Sequence, residues 1–165
     1  MRTDLAPASV ADTKALERAI RLLPPILELF ETSPLHFLHT VQFLFDRIYP
    51  SLLNGQFRLL MRGNKPVAFV NWAWLSDEIS ERFAVYGHHL EPGDWKSGNN
   101  LWFGEIVVRD GMMHALIRDL QHNVFPPGTR ARWVRVGPSG EVRGVGEVRM
   151  PGRAALSDHQ GGART

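Results

Sequence analysis

Apolar positions recur at two different periods along the chain, and the change of period divides it. From Ala11 to Ile20 the composition favours a helix, with Leu16, Ile20 and Leu23 on one face. Pro24 and Pro25 are expected to interrupt or restart it, since each lacks an N–H donor and its ring collides with the preceding turn. A short apolar stretch, Ile26 to Phe30, then leads to Ser33-Pro34-Leu35-His36. Here a favoured N-cap residue stands before a proline suited to a first helical turn, so the tetrapeptide predicts a helix start bearing one histidine. Leu38, Val41, Phe45 and Ile48 follow at helical spacing, and Pro50 closes the segment.

Beyond Pro50 the helical period gives way to strands. Phe57 to Met61 and Val67 to Leu75 read as two strands joined by Arg62-Gly63-Asn64-Lys65, a hairpin. Residues 76 to 100 are mixed, with an extended stretch predicted near Phe83-Ala84-Val85-Tyr86 and breaks at Pro92-Gly93 and Ser97-Gly98. Leu101 to Val108 is an apolar run whose one charge is Glu105, the pattern of a central strand. After a turn at Arg109-Asp110-Gly111, Met112 to Asn123 predicts an amphipathic helix with Met113, Leu116, Ile117 and Leu120 inward. Arg130 to Val136 and Glu141 to Val148 form a second hairpin across Gly137-Pro138-Ser139-Gly140. This order predicts an α+β (α/β) fold with a mostly antiparallel central sheet flanked by helices. Residues 11–150 are expected to form one domain, between a flexible N-terminus (1–10) and a flexible tail (151–165).

Composition narrows the chemistry. The chain has 165 residues, enough for a real core. It has no cysteine, which excludes disulfides, a thiolate nucleophile and cysteine-based zinc sites and fits a cytoplasmic protein. The net charge of +2 is too small for a nucleic-acid binder and is compatible with an acidic protein partner. No apolar run is long enough for a transmembrane helix, and Met1-Arg2-Thr3-Asp4 lacks the apolar core of a signal peptide. His88-His89 is not read as a metal half-site, because adjacent residues on an extended chain point to opposite sides. No metal site and no bound cofactor are expected.

His36 is the first candidate for chemistry. A helix N-terminus disfavours imidazolium, and a neutral ring is a base near neutral pH. Glu105 is the second, because a carboxylate inside an apolar strand is costly without a partner. A hydrogen bond donated by His36 Nδ1–H to the Glu105 carboxylate would fix the tautomer; the structural alternative is an ion pair with Arg130 or Arg132. Ser33 is either an N-cap alone or a third member of the site. A hydrolase triad is disfavoured, since no Gly-x-Ser-x-Gly elbow is present. His39, three residues after His36, is a further titrating group on nearly the same face.

Several blocks now fall into one order: Ser33-Pro34-Leu35-His36, Gly55-Gln56-Phe57-Arg58-Leu59-Leu60, Pro66-Val67-Ala68-Phe69-Val70-Asn71-Trp72-Ala73, Asp94-Trp95-Lys96-Ser97-Gly98 and Leu101-Trp102-Phe103. In that order the chain resembles the RTX toxin-activating lysine acyltransferases, over about residues 22 to 147. Each block alone is common; five in sequence are specific. The resemblance implies a GNAT-like acyltransferase fold and transfer of a fatty acyl chain from acyl carrier protein to internal lysines of an RTX-type protoxin. It maps the essential histidine onto His36 and a contributing serine onto Ser33. It places Glu105 where the family usually carries aspartate, a departure of one methylene, and Phe37 where it usually carries arginine. Those departures keep in view an N-acyltransferase of another protein or small amine, and a non-catalytic protein-binding relative. The only candidate for a pyrophosphate cradle is Arg109-Asp110-Gly111-Met112, a poor one, which favours acyl carrier protein over coenzyme A. Arg58, Arg62, Arg118, Arg130 and Arg132 are candidate docking residues for that acidic donor. A homodimer is compatible with these features.

Overall fold

The computed structural model describes residues 10–150, apart from residues 88, 138 and 140. Helix α1 (Val10–Glu31) passes through Pro24 and Pro25 without a break, contrary to the expectation from their ring sterics. The prolines leave the carbonyls of Ile20 and Arg21 without helical donors, and both of those residues are solvent-exposed, so water can satisfy them. The next turns carry Ile26, Leu29 and Phe30 into the core, and that packing holds the second half of the helix in line. The buried face runs through Ala19, Ile26 and Leu29, while Leu16 and Ile20, read from the sequence as sharing one apolar face with Leu23, are exposed.

From Val41 to Asn54 the chain is helical but changes pitch. It runs through α2 (Val41–Phe43), a π turn over Leu44–Ile48 and α3 (Tyr49–Asn54). Pro50 lies in the first turn of α3 and does not end the segment. In a regular helix its ring would strike the Asp46 carbonyl, and the wider turn before it removes that clash. Leu38, Val41 and Phe45 are exposed, so the stripe read from the sequence is buried only at Ile48.

Five strands, β1 (Phe57–Arg62), β2 (Lys65–Leu75), β3 (Asn100–Val108), β4 (Arg130–Val136) and β5 (Val142–Arg149), pair in the order β1-β2-β3-β4-β5. Both predicted hairpins are present as antiparallel pairs, and only β3 and β4 run parallel. Helix α5 (Met113–Asn123) connects that parallel pair and buries Leu116 and Leu120. Met113 and Ile117 stay partly outside, because the buried stripe is narrower than the four residues predicted. Helix α4 (Asp77–Tyr86) stands where an extended stretch was expected. Its ends explain it: Ser76 Oγ accepts the Ile79 N–H, Asp77 and Glu78 sit in the first turn, and Gly87 closes the helix in a left-handed conformation. Capping outweighed the strand-like run Phe83 to Tyr86.

One face of the sheet packs Val70, Trp72, Leu101 and Phe103 against α5. The other packs Phe69 and Val107 against α1 and α3, and Ala73 and Trp102 against Phe83 of α4. This mixed, mostly antiparallel sheet flanked by helices agrees with the GNAT-like α+β architecture. The expected flexible ends, 1–10 and 151–165, fall outside the described residues but for Val10. No helix among the described residues is long and apolar enough to cross a membrane.

Candidate active site

A single irregularity in β3 creates the site. Val70 pairs with Ile106, yet Trp72 pairs with Phe103. Asn71 therefore stands opposite two residues, Gly104 and Glu105, which is a β-bulge. Side chains alternate along a strand, so without the bulge Glu105 would share the α5 face with Leu101 and Phe103. The extra residue moves Ile106 onto that face and turns Glu105 and Val107 to the other. Asn71, fully buried, locks the bulge. Its Oδ1 accepts the Glu105 N–H at 2.7 Å, and its Nδ2 donates to the Arg47 carbonyl at 2.6 Å and to Ser51 Oγ at 3.2 Å. Gly104 is required there, since a Cβ would lie 2.6 Å from Asn71 Oδ1.

His36 meets Glu105 from the loop after α1. The Ser33 carbonyl accepts the N–H groups of both His36 and Phe37, forming a turn that does not continue as a helix. The helix starts only after Thr40, whose Oγ1 accepts the Phe43 N–H. His36 is therefore not on a first helical turn, and no helix dipole acts on it there. The turn brings Ser33 Oγ to 2.7 Å from His36 Nδ1. Ser33 is thus a ring partner of the histidine and not an N-cap. Nε2 is left to face the sheet, 3.2 Å from Glu105 Oε2. The acid meets Nε2, not the Nδ1 expected from the sequence, because the turn has already directed Nδ1 at Ser33. With Glu105 ionised, Nε2–H donates to the carboxylate and Nδ1 accepts the Ser33 hydroxyl. His36 is buried and packs against Phe30, with ring centroids 4.9 Å apart.

Arg47 completes the arrangement. Its Nη2 and Nε donate to Glu105 Oε1 at 2.9 and 3.2 Å, and its Nη1 donates to the Gly87 carbonyl at 3.3 Å. Burial pushes the Glu105 carboxyl up, but the His36 hydrogen bond and the Arg47 guanidinium overcome it and hold the group below its ordinary value. The carboxylate is charged and half-buried, with one oxygen engaged by His36 and the other by Arg47.

These side chains lie at a cleft of about 540 Å³. Strands β3 and β4 pair only from Leu101–Phe103 to Ala131–Trp133. Beyond that they are no longer hydrogen-bonded to one another, and the cleft opens between Gly104 and Ile106 on one side and Val134 and Val136 on the other. Trp133 and Phe103 add apolar wall. His39 stands on the same cleft, stacked on Phe43 at 3.6 Å, its ring centroid 5.3 Å from that of His36. Partial burial lowers its pKa, with His36 and Arg47 acting in the same direction and Glu105 opposing them. One ligand atom each of His36, His39 and Glu105 lie within 4.8 Å of one another. The Arg47 guanidinium on the same carboxylate opposes a dication, so the cluster handles protons better than metal.

The sequence pattern of the RTX toxin acyltransferase family matches residues 16–148. The chain belongs to this family. It is 29% identical over 108 residues to the lysine-acyltransferase RtxC of Vibrio cholerae, covering 65% of this chain and 71% of that one. Over 126 residues it is 29% identical to the RTX-I toxin-activating lysine-acyltransferase ApxIC of Actinobacillus pleuropneumoniae, covering 76% and 72%. Over 128 residues it is 30% identical to a protein-lysine myristoyltransferase HlyC of Escherichia coli, covering 78% and 74%.

The three residues singled out in the sequence, Ser33, His36 and Glu105, come together in one hydrogen-bonded chain. Glu105 does not take the alternative pairing with Arg130 or Arg132, both of which bind Glu147. Arg58 is likewise paired, with Asp119, and Arg109 binds the Pro66 carbonyl and Glu28. His89 lies near Asp46 and Glu91, and His88 is outside the described residues. Sequence reasoning missed Arg47 and Asn71. Asn71 had a signal, as a lone amide within the apolar run Val67 to Leu75. Arg47, on a partly exposed helix, had none.

Proposed function

We propose that this chain is a protein-lysine fatty acyltransferase of the cytoplasm. It moves an acyl chain from acyl carrier protein to internal lysines of an RTX-type protoxin. The observation that carries this reading is the part-buried Ser33–His36–Glu105 chain, whose histidine and glutamate line a largely apolar cleft where two parallel strands part. The reading takes the acyl chain to lie against Phe103, Ile106, Trp133 and Val134, an apolar surface suited to methylene groups. The thioester carbonyl then stands within reach of the histidine. The lysine nitrogen attacks the carbonyl carbon, a C–N bond forms, and the C–S bond breaks as the thiolate leaves. The attacking nitrogen's proton passes through the Ser33 hydroxyl to His36 Nδ1, and the leaving sulfur takes up a proton in turn. Glu105 keeps the ring oriented and stabilises imidazolium as it forms. Glu105 and Arg47 position the histidine; they do not touch the reacting atoms.

Acyl carrier protein is preferred to coenzyme A as donor because Arg109, the sole candidate for a phosphate cradle, is committed to Pro66 and Glu28. A different amine acceptor on the same site is favoured by Phe37, which is exposed where the family usually carries arginine. Intact-mass analysis separates these readings. The chain is incubated with myristoyl-acyl carrier protein or myristoyl-coenzyme A and an RTX-type protoxin, with a small primary amine offered in parallel. Lysine acylation of the protoxin from the carrier protein, weakened by salt, is the expected result. His36→Ala should lower it by about 10²- to 10⁴-fold without unfolding the protein. Acylation of the small amine alone, or salt-insensitive use of coenzyme A, contradicts the corresponding part of the proposal.

A further inference from the structure

Making an amide from a lysine ammonium and a thioester moves two protons. One must leave the ammonium before it can attack, since the protonated nitrogen has no lone pair and its ordinary pKa is about 10.4. The second leaves the same nitrogen after attack, and the departing thiolate takes up one. His36 is placed for the second transfer only. Its Nε2 is turned to Glu105 and its Nδ1 to Ser33, so neither ring nitrogen is open to an ammonium arriving in the cleft. His39 is open. It lines the cleft, is solvent-exposed and stacks on Phe43, and no hydrogen bond to its ring is found among the described residues.

We infer that His39 accepts the first proton, the one a lysine ammonium sheds before it attacks, and passes it to solvent. This rests on the acyltransferase reading and deepens it. The groups facing His39 fit the task. Glu105, within 4.8 Å, stabilises the imidazolium while it carries the proton. Partial burial, with His36 and Arg47, lowers the ring's pKa, so the proton is released to water and the ring is neutral for the next cycle. Ammonium N–H goes to His39 Nδ1 or Nε2, and His39 N–H goes to water. The nitrogen lone pair so freed forms the C–N bond, and the later proton travels by Ser33 to His36. Two histidines thus serve two transfers without either being reset within the cycle.

The test compares two acceptors. Lysine in a protoxin segment is an ammonium at neutral pH, whereas hydroxylamine is already neutral and skips the first transfer. Acylation of each by myristoyl-acyl carrier protein is followed for the full chain and for His39→Gln. The expected result is a loss of about 10²-fold with lysine at pH 7. The loss with hydroxylamine should be at least about tenfold smaller. The lysine deficit should shrink as pH rises toward about 10, where the amine deprotonates unaided. Equal losses with both acceptors mean that His39 only shapes the site, and they overturn the inference. No loss with lysine, or a deficit that pH does not relieve, also overturns it. A wild-type chain that acylates neither acceptor overturns the acyltransferase reading itself, and so the two failures are distinct.

Discussion

Leu101 to Phe103, in the first half of β3, is paired with strands on both sides, whereas Gly104 to Val108 has β2 alone as its neighbour. The first half buries Leu101, Trp102 and Phe103 almost completely. The second holds Gly104, Glu105 and Ile106 half-buried at a cleft and carries the strand's one charge. One residue separates these outcomes. The bulge opposite Asn71 reverses which face each later side chain takes, and the loss of β4 as a neighbour opens the space a substrate needs. The same strand supplies core where its pairing is complete and chemistry where it is not.

That contrast can be broken from either side. Trp102→Ala removes a 1%-exposed indole whose Nε1 donates to Ser80 Oγ and which packs on Phe83. It should destabilise the fold by about 3–5 kcal/mol. Below the melting transition the rate per folded molecule should stay close to wild type. Calorimetry with active-site-normalised rates checks both halves of that statement. Asn71→Ala strikes the boundary itself. It leaves the buried Glu105 N–H and Arg47 carbonyl without their partner, at about 1–3 kcal/mol for each unsatisfied group. It should also lower activity at least tenfold per folded molecule by loosening the carboxylate. Unchanged activity would mean that the bulge does not position Glu105.

A smaller effect is expected from acid. The Glu105 carboxyl is held below its ordinary value in the folded state. A depressed carboxyl contributes stability that is present above its unfolded value, about 4.3, and lost as pH falls through the folded one. Wild-type unfolding free energy should therefore drop more steeply than that of Glu105→Gln between about pH 5 and pH 3. Parallel curves from urea titrations across that range would show that Glu105 gains no net favourable partner on folding.

The strands and hairpins were legible because alternation and turn residues speak locally, as at Gly63-Asn64 and across Ser139. Helix α4 was missed: the aromatic and β-branched run Phe83 to Tyr86 argued for a strand, and the capping signals at Ser76 and Gly87 were not read. Pro24-Pro25 misled for the opposite reason, since local sterics were overridden by the burial of Ile26, Leu29 and Phe30. His36, Glu105 and Ser33 could be named from motif and from a charge out of place. Their pairing could not, because register decides it: only the bulge turns Glu105 toward the histidine, and only the turn at Ser33 decides which ring nitrogen meets it. Arg47 reaches Glu105 across 58 residues of sequence, a separation that no local pattern encodes.

The central claim is that the charge of Glu105, delivered to His36 by the bulge, makes the histidine a competent base. Single-turnover acylation of lysine by the wild-type chain, Glu105→Gln and Glu105→Asp measures it directly. The glutamine variant keeps the shape and loses the charge, and should be slower by about 10²-fold or more. The aspartate variant keeps the charge on a shorter arm, drawing it back from both His36 and Arg47, and should fall between glutamine and wild type. A folded Glu105→Gln protein within about twofold of the wild-type rate would contradict the claim, since the carboxylate would then be a structural partner of Arg47 and no part of the chemistry.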